Sequence, residues 1–386
     1  MGQRPRAKCS CAILFPGPIA ISVIGRPSFT SLVIARRCDM EYIAEQLIPF
    51  AVRAPSGHNT QPWQFSVHQD GIRIFPDLSR RLPVVDPDDH ALFISLGCAL
   101  DNLIVAAAHQ GLAARVESFP ADEPEPCLRV RLSEGASENT DALFRAIPER
   151  QSNRGTYDGR AIDASDLTAM LEANGCESVQ IRPFRVGDPD IEPLIDFVRE
   201  ANIVQFNDPA FVAELVSWIR FTRREVSTRQ DGLAAAALGF PAVPRWLGRW
   251  IMTRLVKPEG EADRQEKAIR QSSLLLLFIA RENDKRHWVD VGRSFERVVL
   301  TATSLGIAHA HVNMPCEVEP IRRRLAAHLS LNAGEQPLLL IRLGYARKRL
   351  PASPRRPVDR VLRRTSCNGD SVHCSIQRKR SHAVFD

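Results

Sequence analysis

Residues 54–65 read APSGHNTQPWQF. Pro55-Ser56-Gly57 is a turn signal, in which Ser56 suits an N-cap and Gly57 allows the backbone a tight approach. Asn59 and Gln61 follow with side-chain amides, each able to donate and to accept. Trp63, Phe65 and Val67 then alternate as in a strand with one buried face. On composition alone the stretch is a polar turn running into a strand.

The surroundings extend that reading. Residues 40–53 (MEYIAEQLIPFAVR) space their apolar side chains as a helix does and deliver the chain to the turn. WQFSVH, a QDG turn and IRIFPD predict a hairpin. Residues 91–110 predict a buried helix, apolar almost all round, that ends at Gly111. Strand-like LAARVESF and CLRVRL come next, separated by an acidic, proline-rich loop.

A shift of 195 residues then superposes two segments. Gly97 falls on Gly292, Asp101 on Glu296, Leu103 on Val298, Ala107 on Ala302, Gly111 on Gly306 and Leu112 on Ile307. Each segment is a helix ended by glycine, followed by an extended stretch and later an apolar strand, CLRVRL or PLLLIRLGY. The periodicity points to an internal duplication. Residues 186–270 have no counterpart in the first copy and predict extra helices, IEPLIDFVREANIV, PAFVAELVSWIRFTRREV and PRWLGRWIMTRLV. After them SSLLLLFIA predicts a buried strand, MPCEVEPIRRRLAAHL a helix and EQPLLLIRLGYA a last core strand.

Charge excludes one class of partner. The formal net charge is +6, but residues 40–365 hold 42 basic and 42 acidic side chains, so the surplus belongs to the ends. No nucleic-acid footprint is visible in the body. Nine cysteines include no CxxC pair, and no His/Cys cluster has zinc spacing, so no metal is expected. His309 and His311 share a strand face and read as structural or as neighbours of a bound group. The unpatterned cysteines fit a reducing, cytoplasmic setting. No apolar run reads as a membrane span. The basic, apolar start of the chain imitates a signal peptide weakly, two prolines interrupting it. An extension ahead of a natural start at Met40 is the preferred reading. There is no GxGxxG, no P-loop and no GxSxG elbow around Ser56.

APSGHNTQPWQF resembles the PSxxNxQPW signature of the nitroreductase family of FMN enzymes. Arg150-Gln151-Ser152-Asn153-Arg154 resembles the R-x-S-x-R segment with which those proteins begin, although here it follows the signature. Family members are dimers whose flavin sites combine these two parts from different subunits, so a fused chain can build one site from its two copies. The resemblance, closest to the Acg-like branch, covers residues 40–362. It implies an α+β nitroreductase-like fold, duplicated so that one chain, a monomer, mimics a dimer. The expected divisions are an extension at 1–39, a first half at 40–140, a second half at 141–362 with a helical insertion at 186–270, and a disordered tail at 363–386.

The resemblance also implies the site. Arg150, Ser152, Arg355 and Arg356 match positions that hold the FMN phosphate, a task for charge-assisted donors. Asn59 and Arg154 are the candidates for the pyrimidine end of the flavin, with Gln61 and Asn153 beside them. Pro55, Ser56 and Gly57 pack on the ring from one half, Met314 and Pro315 from the other. No protein nucleophile is implied. NAD(P)H reduces the flavin and leaves, and a small-molecule oxidant, a nitro compound or quinone, then takes the electrons in a ping-pong cycle. The insertion reads as a lid, with Phe240, Trp246 and Trp250 as its apolar contacts, in preference to a helix lying on a membrane. If that lid blocks turnover, the chain is instead a flavin-sequestering protein. If the second copy has decayed too far, it is a binding module without flavin.

Overall fold

The computed structural model describes residues 29–135 and 140–363, with the backbone alone over 29–38. Helix α1 (Phe29–Ala51) brings the chain to the signature turn, and it starts ahead of the expected Met40. The last part of the expected extension is therefore helical, while residues 1–28 and the tail from 364 lie outside the described residues. Strands β1 (Trp63–His68) and β2 (Gly71–Pro76) form the expected hairpin, with Trp63 opposite Pro76. Helix α2 (His90–His109) follows, then β3 (Leu112–Ser118) and β4 (Leu128–Glu134). The four strands make an antiparallel sheet in the order β1-β2-β4-β3.

Beyond the first sheet come α3 (Asp141–Glu149), α4 (Ala164–Glu172) and β5 (Val179–Arg185). Then come α5 (Ile191–Asn207), α6 (Pro209–Trp218) and the short strand β6 (Ile219–Arg220). Helix α7 (Arg223–Arg229), the short strand β7 (Leu233–Ala234), α8 (Arg245–Arg254) and α9 (Pro258–Arg270) follow. Strand β8 (Leu274–Ala280), α10 (Lys285–Ser304) and β9 (Ala308–His311) return to the main body. Helices α11 (Met314–Glu317) and α12 (Glu319–His328) lead to β10 (Gln336–Gly344). The second sheet has the order β5-β8-β10-β9, again antiparallel. Strand for strand this repeats the first sheet, each long helix lying between the second and third strands, so the fold is α+β and internally duplicated.

The two sheets differ in what covers them, and the sequence shows why. In β2 and β4 apolar Ile72, Ile74, Leu128 and Val130 face the core, while Arg73 and Arg129 face outward into a network with Asp70, Glu117, Asp122 and Glu123. Strand β8 has no polar side. Leu274, Leu276 and Phe278 enter the main core, and Leu275, Leu277 and Ile279 enter a second core built with Ile191, Leu194 and Val198 of α5 and Ile269 of α9. These parts of the insertion are therefore the outer layer of the second sheet, and only 209–254 remains as an overhanging subdomain with its own cluster around Val216, Phe221 and Leu233. Two predicted helices are also broken. The helix expected over 209–226 is interrupted at β6, where Arg220 pairs with Asp231 at 2.7 Å and Thr222 opens α7 with a capping box to Glu225. The helix expected over 314–329 stops at Glu317 and restarts at Glu319.

The halves meet along α2 and α10. A Cβ on Gly97 would stand 2.0 Å from the Val289 carbonyl oxygen, and one on Gly292 would stand 1.9 Å from that of Ile94. The residues matched by the 195-residue shift thus touch each other at the crossing, backbone to backbone. One turn on, Arg297 holds Asp101 at 3.1 Å and Arg150 lies 3.1 Å from Glu296, whose side chain is fully buried. By length and apolarity α2 would suffice to cross a membrane, yet it is almost wholly enclosed in this core. Among the described residues Cys98, Cys127, Cys176 and Cys316 are free and buried.

Two outcomes follow from the crossing. Gly97→Ala or Gly292→Ala should destabilise the protein by about 1–3 kcal/mol in urea unfolding, overpacking outweighing the roughly 1 kcal/mol that alanine gains in a helix. Gly260→Ala on exposed α9, where a Cβ meets nothing, is the control and should be neutral or stabilising. Burial raises the Glu296 carboxyl from 4.5 to about 7 against the pull of Arg150. Between those values the folded chain holds a proton that the unfolded chain releases, so stability should fall as pH rises through about 4.5 to 7. Glu296→Gln should flatten that part of the curve of thermal midpoint against pH.

Candidate functional site

The signature turn has an unusual backbone. His58, Asn59 and Gln61 all have positive φ, at 47°, 54° and 55°. Histidine and asparagine tolerate that region better than most residues, but three such positions in four cost strain that the surroundings must hold. They are held from inside by Ser56, whose Oγ accepts the Gln61 N–H at 2.9 Å. The turn is also held from outside. Asn59 Nδ2 donates to the carbonyls of Gly232 (3.0 Å) and Pro354 (3.1 Å), and Asn59 Oδ1 accepts from Arg355 at 3.2 Å. Gln61 Nε2 donates to the Gln230 carbonyl, and its Oε1 accepts the Arg356 N–H at 2.7 Å.

The RQSNR segment lies along the free edge of β9, Ser152 bridging to His309 and Asn153 N–H donating to the His309 carbonyl at 2.8 Å. Arg150 donates to the Arg53 carbonyl just ahead of the signature, and Arg355 donates to the same oxygen at 3.0 Å. Asn153 is structural, with Nδ2 donating to the Lys348 carbonyl and Oδ1 capping Gly155. Arg154 is different. Among the described residues its guanidinium makes no hydrogen bond and no ion pair. It keeps a partial opening to solvent, but it is deep enough for burial, then Arg264 and Arg342, to pull its pKa down.

The two parts face each other. Burial and then Arg154 hold His58 down at about 4, so it is neutral, and its Nε2 has no partner. Burial pushes the Arg355 guanidinium down to about 9, with Arg150 adding to the effect. His309 is held well below its usual range and His311 at about 3, by burial and by the same arginines. Both imidazoles pack edge-on to Phe295, with ring centroids 5.7 and 5.2 Å away. The junction is thus a crowd of cations above one buried carboxyl, Glu296, with orphaned polar atoms at His58 Nε2, Gln151 Oε1 and Arg355 Nε. Beside Gln151 opens a cleft of about 690 Å³, lined by Phe240, Pro241, Leu350 and Pro351. Arg264 lies over the Phe240 ring at 5.7 Å.

Several expected assignments change. The side chains of Asn59 and Gln61 are spent on backbone of 230–232 and 354–356, so they fasten the turn rather than offer free donors. Arg356 stays at the signature but is already engaged, its guanidinium donating to the Gln61 carbonyl at 3.4 Å and to the Arg360 carbonyl and lying 3.7 Å from Asp77. Met314 packs into the core under α5, and Pro315 is buried at the start of α11, with no described hydrogen bond to the signature. Trp246 and Trp250 point outward, 72% and 51% exposed, and are not contacts of a lid. Ser56 is engaged within the turn, and Gly57 lies against Leu82. His58, Glu296 and Arg264 were not foreseen; the shift that pairs Glu296 with Asp101 was the one available signal. Asp86, Asp88 and His90 also come together, but Asp86 caps α2 and Arg322 lies 3.3 Å from Asp88, which makes this a braced helix start.

No family model matches the chain. Among curated proteins it is similar to the provisionally named NAD(P)H nitroreductase Rv3131 of Mycobacterium tuberculosis, 28% identical over 82% of this chain and 90% of that one. It is also similar to the likewise provisionally named NAD(P)H nitroreductase acg of the same organism, 25% identical over 83% of this chain and 95% of that one. Among solved structures it is similar to the FMN-dependent nitroreductase NfnB of Mycobacterium smegmatis in complex with NADPH, at 15% identity, 59% of this chain, 100% of that one and TM-score 0.38. A nitroreductase with bound FMN from Bacteroides fragilis matches 53% of this chain and 88% of its own, at 18% identity and TM-score 0.32. The signature, the RQSNR segment and the likeness to Rv3131 and acg over more than four-fifths of the chain agree, and together they support a nitroreductase family assignment.

Proposed function

We propose that this chain is an FMN-dependent NAD(P)H oxidoreductase, working in the cytoplasm as a monomer built like a dimer, that reduces nitro compounds or quinones in a ping-pong cycle. The observation that carries the reading is Arg154, an unpaired guanidinium set deep where the RQSNR segment faces the signature turn. A cation left unpaired at such depth is costly unless an anionic or strongly accepting group completes it. Arg150, Ser152 and Arg355 would hold the phosphate of FMN. Arg154 and His58 Nε2 would meet the polar edge of its ring, where a cation favours the reduced, anionic form. When bound, FMN supplies a centre that accepts and releases hydride. The chain's own residues do the rest. Neutral His58, His309 and His311 add no competing charge, and Glu296 offsets part of the cationic field from below. Residues 230–232, fastened to Asn59 and Gln61, limit the access of water.

That fastening also favours the second reading, a protein that sequesters flavin with little turnover. The two readings separate in the visible absorption spectrum of the purified chain, recorded before and after anaerobic addition of NADPH and then NADH. Rapid bleaching of a flavin band supports the oxidoreductase. A band that persists with both nucleotides supports sequestration, and no band after FMN is added overturns both. Arg154→Ala should weaken FMN binding by roughly 10- to 100-fold, the worth of a charged hydrogen bond, while leaving the thermal midpoint nearly unchanged. Arg150→Ala should lower the midpoint as well, because it strands Glu296. If closure limits turnover, Asn59→Ala should speed reduction of bound FMN by NADPH.

A further inference from the structure

Trp246 and Trp250 stand one turn apart on α8 and face solvent, with Arg249 and Arg254 flanking them on the same exposed side. The opposite side of the helix is sealed. A Cβ on Gly248 would stand 2.2 Å from the Phe221 ring, and Met252 packs into the small cluster of the subdomain. The outward face is therefore fixed by packing. Leu255, just past the helix, is 56% exposed, and Phe240 is exposed at the rim of the cleft.

The body is neutral as a whole, but this stretch is strongly basic. Residues 219–257 hold eight Lys/Arg and two acids. Both acids are already neutralised, Glu225 by Arg245 at 2.7 Å and Asp231 by Arg220 and Arg80. Arg223, Arg224, Arg229, Arg249, Arg254 and Lys257 make no ion pair among the described residues.

We propose that α8 and the loop before it dock this protein on an anionic lipid surface. Indole rings settle at the boundary between headgroups and acyl chains, and arginines beside them meet lipid phosphates. An exposed aliphatic side chain at Leu255 suits lipid better than nucleic acid, whose bases select aromatic stacking. Docking of this kind is reversible and weakens with salt. On the reading of the site given above, it also has a use. Phe240 lines the cleft beside Gln151, and α8 begins five residues later, so an apolar quinone dissolved in the bilayer would find the cleft at the docked face.

The test is co-sedimentation of the full chain with vesicles, at low salt, with tryptophan emission as a second readout. Vesicles of phosphatidylcholine containing phosphatidylglycerol should bind the chain and shift its emission to the blue, and vesicles of phosphatidylcholine alone should not. Trp246→Ser with Trp250→Ser, and Arg249→Glu with Arg254→Glu, should each reduce binding by roughly tenfold or more. These side chains are exposed and outside the flavin site, so flavin content and thermal midpoint should not change. Absence of binding would overturn the proposal. So would undiminished binding by both variants, which would place the contact elsewhere, for instance in the basic, apolar start of the chain. Equal binding to a single-stranded oligonucleotide, or self-association without lipid that the Trp substitutions abolish, would overturn it too. None of these readouts depends on redox activity, so failure here leaves the oxidoreductase reading standing.

Discussion

Two glycines let α2 and α10 touch backbone to backbone, and the arrangement of the site depends on that contact. Side chains at Gly97 and Gly292 would push the helices apart, since a carbonyl oxygen lies about 2 Å from each missing Cβ. With the helices in contact, Glu296 on α10 sits beneath Arg150, and the Arg150 guanidinium reaches the Arg53 carbonyl at the mouth of the signature turn. The residue numbers 53, 150 and 296 belong to separate parts of the chain. A helix crossing brings them within bonding reach.

Duplication gave two equivalent frames, and they have been put to unequal use. The first sheet leaves a charged face toward solvent, while the second buries both faces under α5, α9 and the central helices. The full polar signature survives in the first frame, whereas the turn ahead of β5 keeps a single side-chain amide, Asn174, bonded within its own half to Cys176, Val179 and Ser294. The second frame keeps the arginines instead. One site can then draw its strained turn from one half and its cations from the other. Leu362 adds to the edge of β1 and Ser152 to the edge of β9, so each sheet is also completed by chain from outside its own run of strands.

Much of this was legible because it is periodic. The 195-residue shift rests on glycines and apolar positions that must recur if the helix crossing recurs. The continuous apolar run of β8, against the alternation in β2 and β4, reports correctly which sheet is covered on both faces. What stayed hidden depends on tertiary partners. Asn59 and Gln61 look like free donors in sequence, and only the return of residues 230–232 and 354–356 shows them spent. The break at 219–222 comes from a buried Arg220–Asp231 pair that no local pattern displays, although Thr222 and Glu225 at capping-box spacing marked the restart. Trp246 and Trp250 share one helix face with arginines, and hydrophobicity alone assigns that face inward. Gly248 reverses the assignment, because it is the position where α8 can approach Phe221.

The cations of the site explain one another's protonation better than any of them does alone. Burial and the positive neighbours act in the same direction on His58, His309 and His311, so all three imidazoles stay neutral where a single exposed histidine would titrate. On Glu296 burial and Arg150 act in opposite directions, and burial wins, leaving a carboxyl poised near neutrality. Charge at the junction is therefore lopsided, with guanidinium cations that stay charged through neutral pH and a counter-charge that comes and goes with pH. An anion of roughly constant charge is the partner that such a junction can hold over the widest range, because its attraction to Arg150, Arg154 and Arg355 does not wait on Glu296.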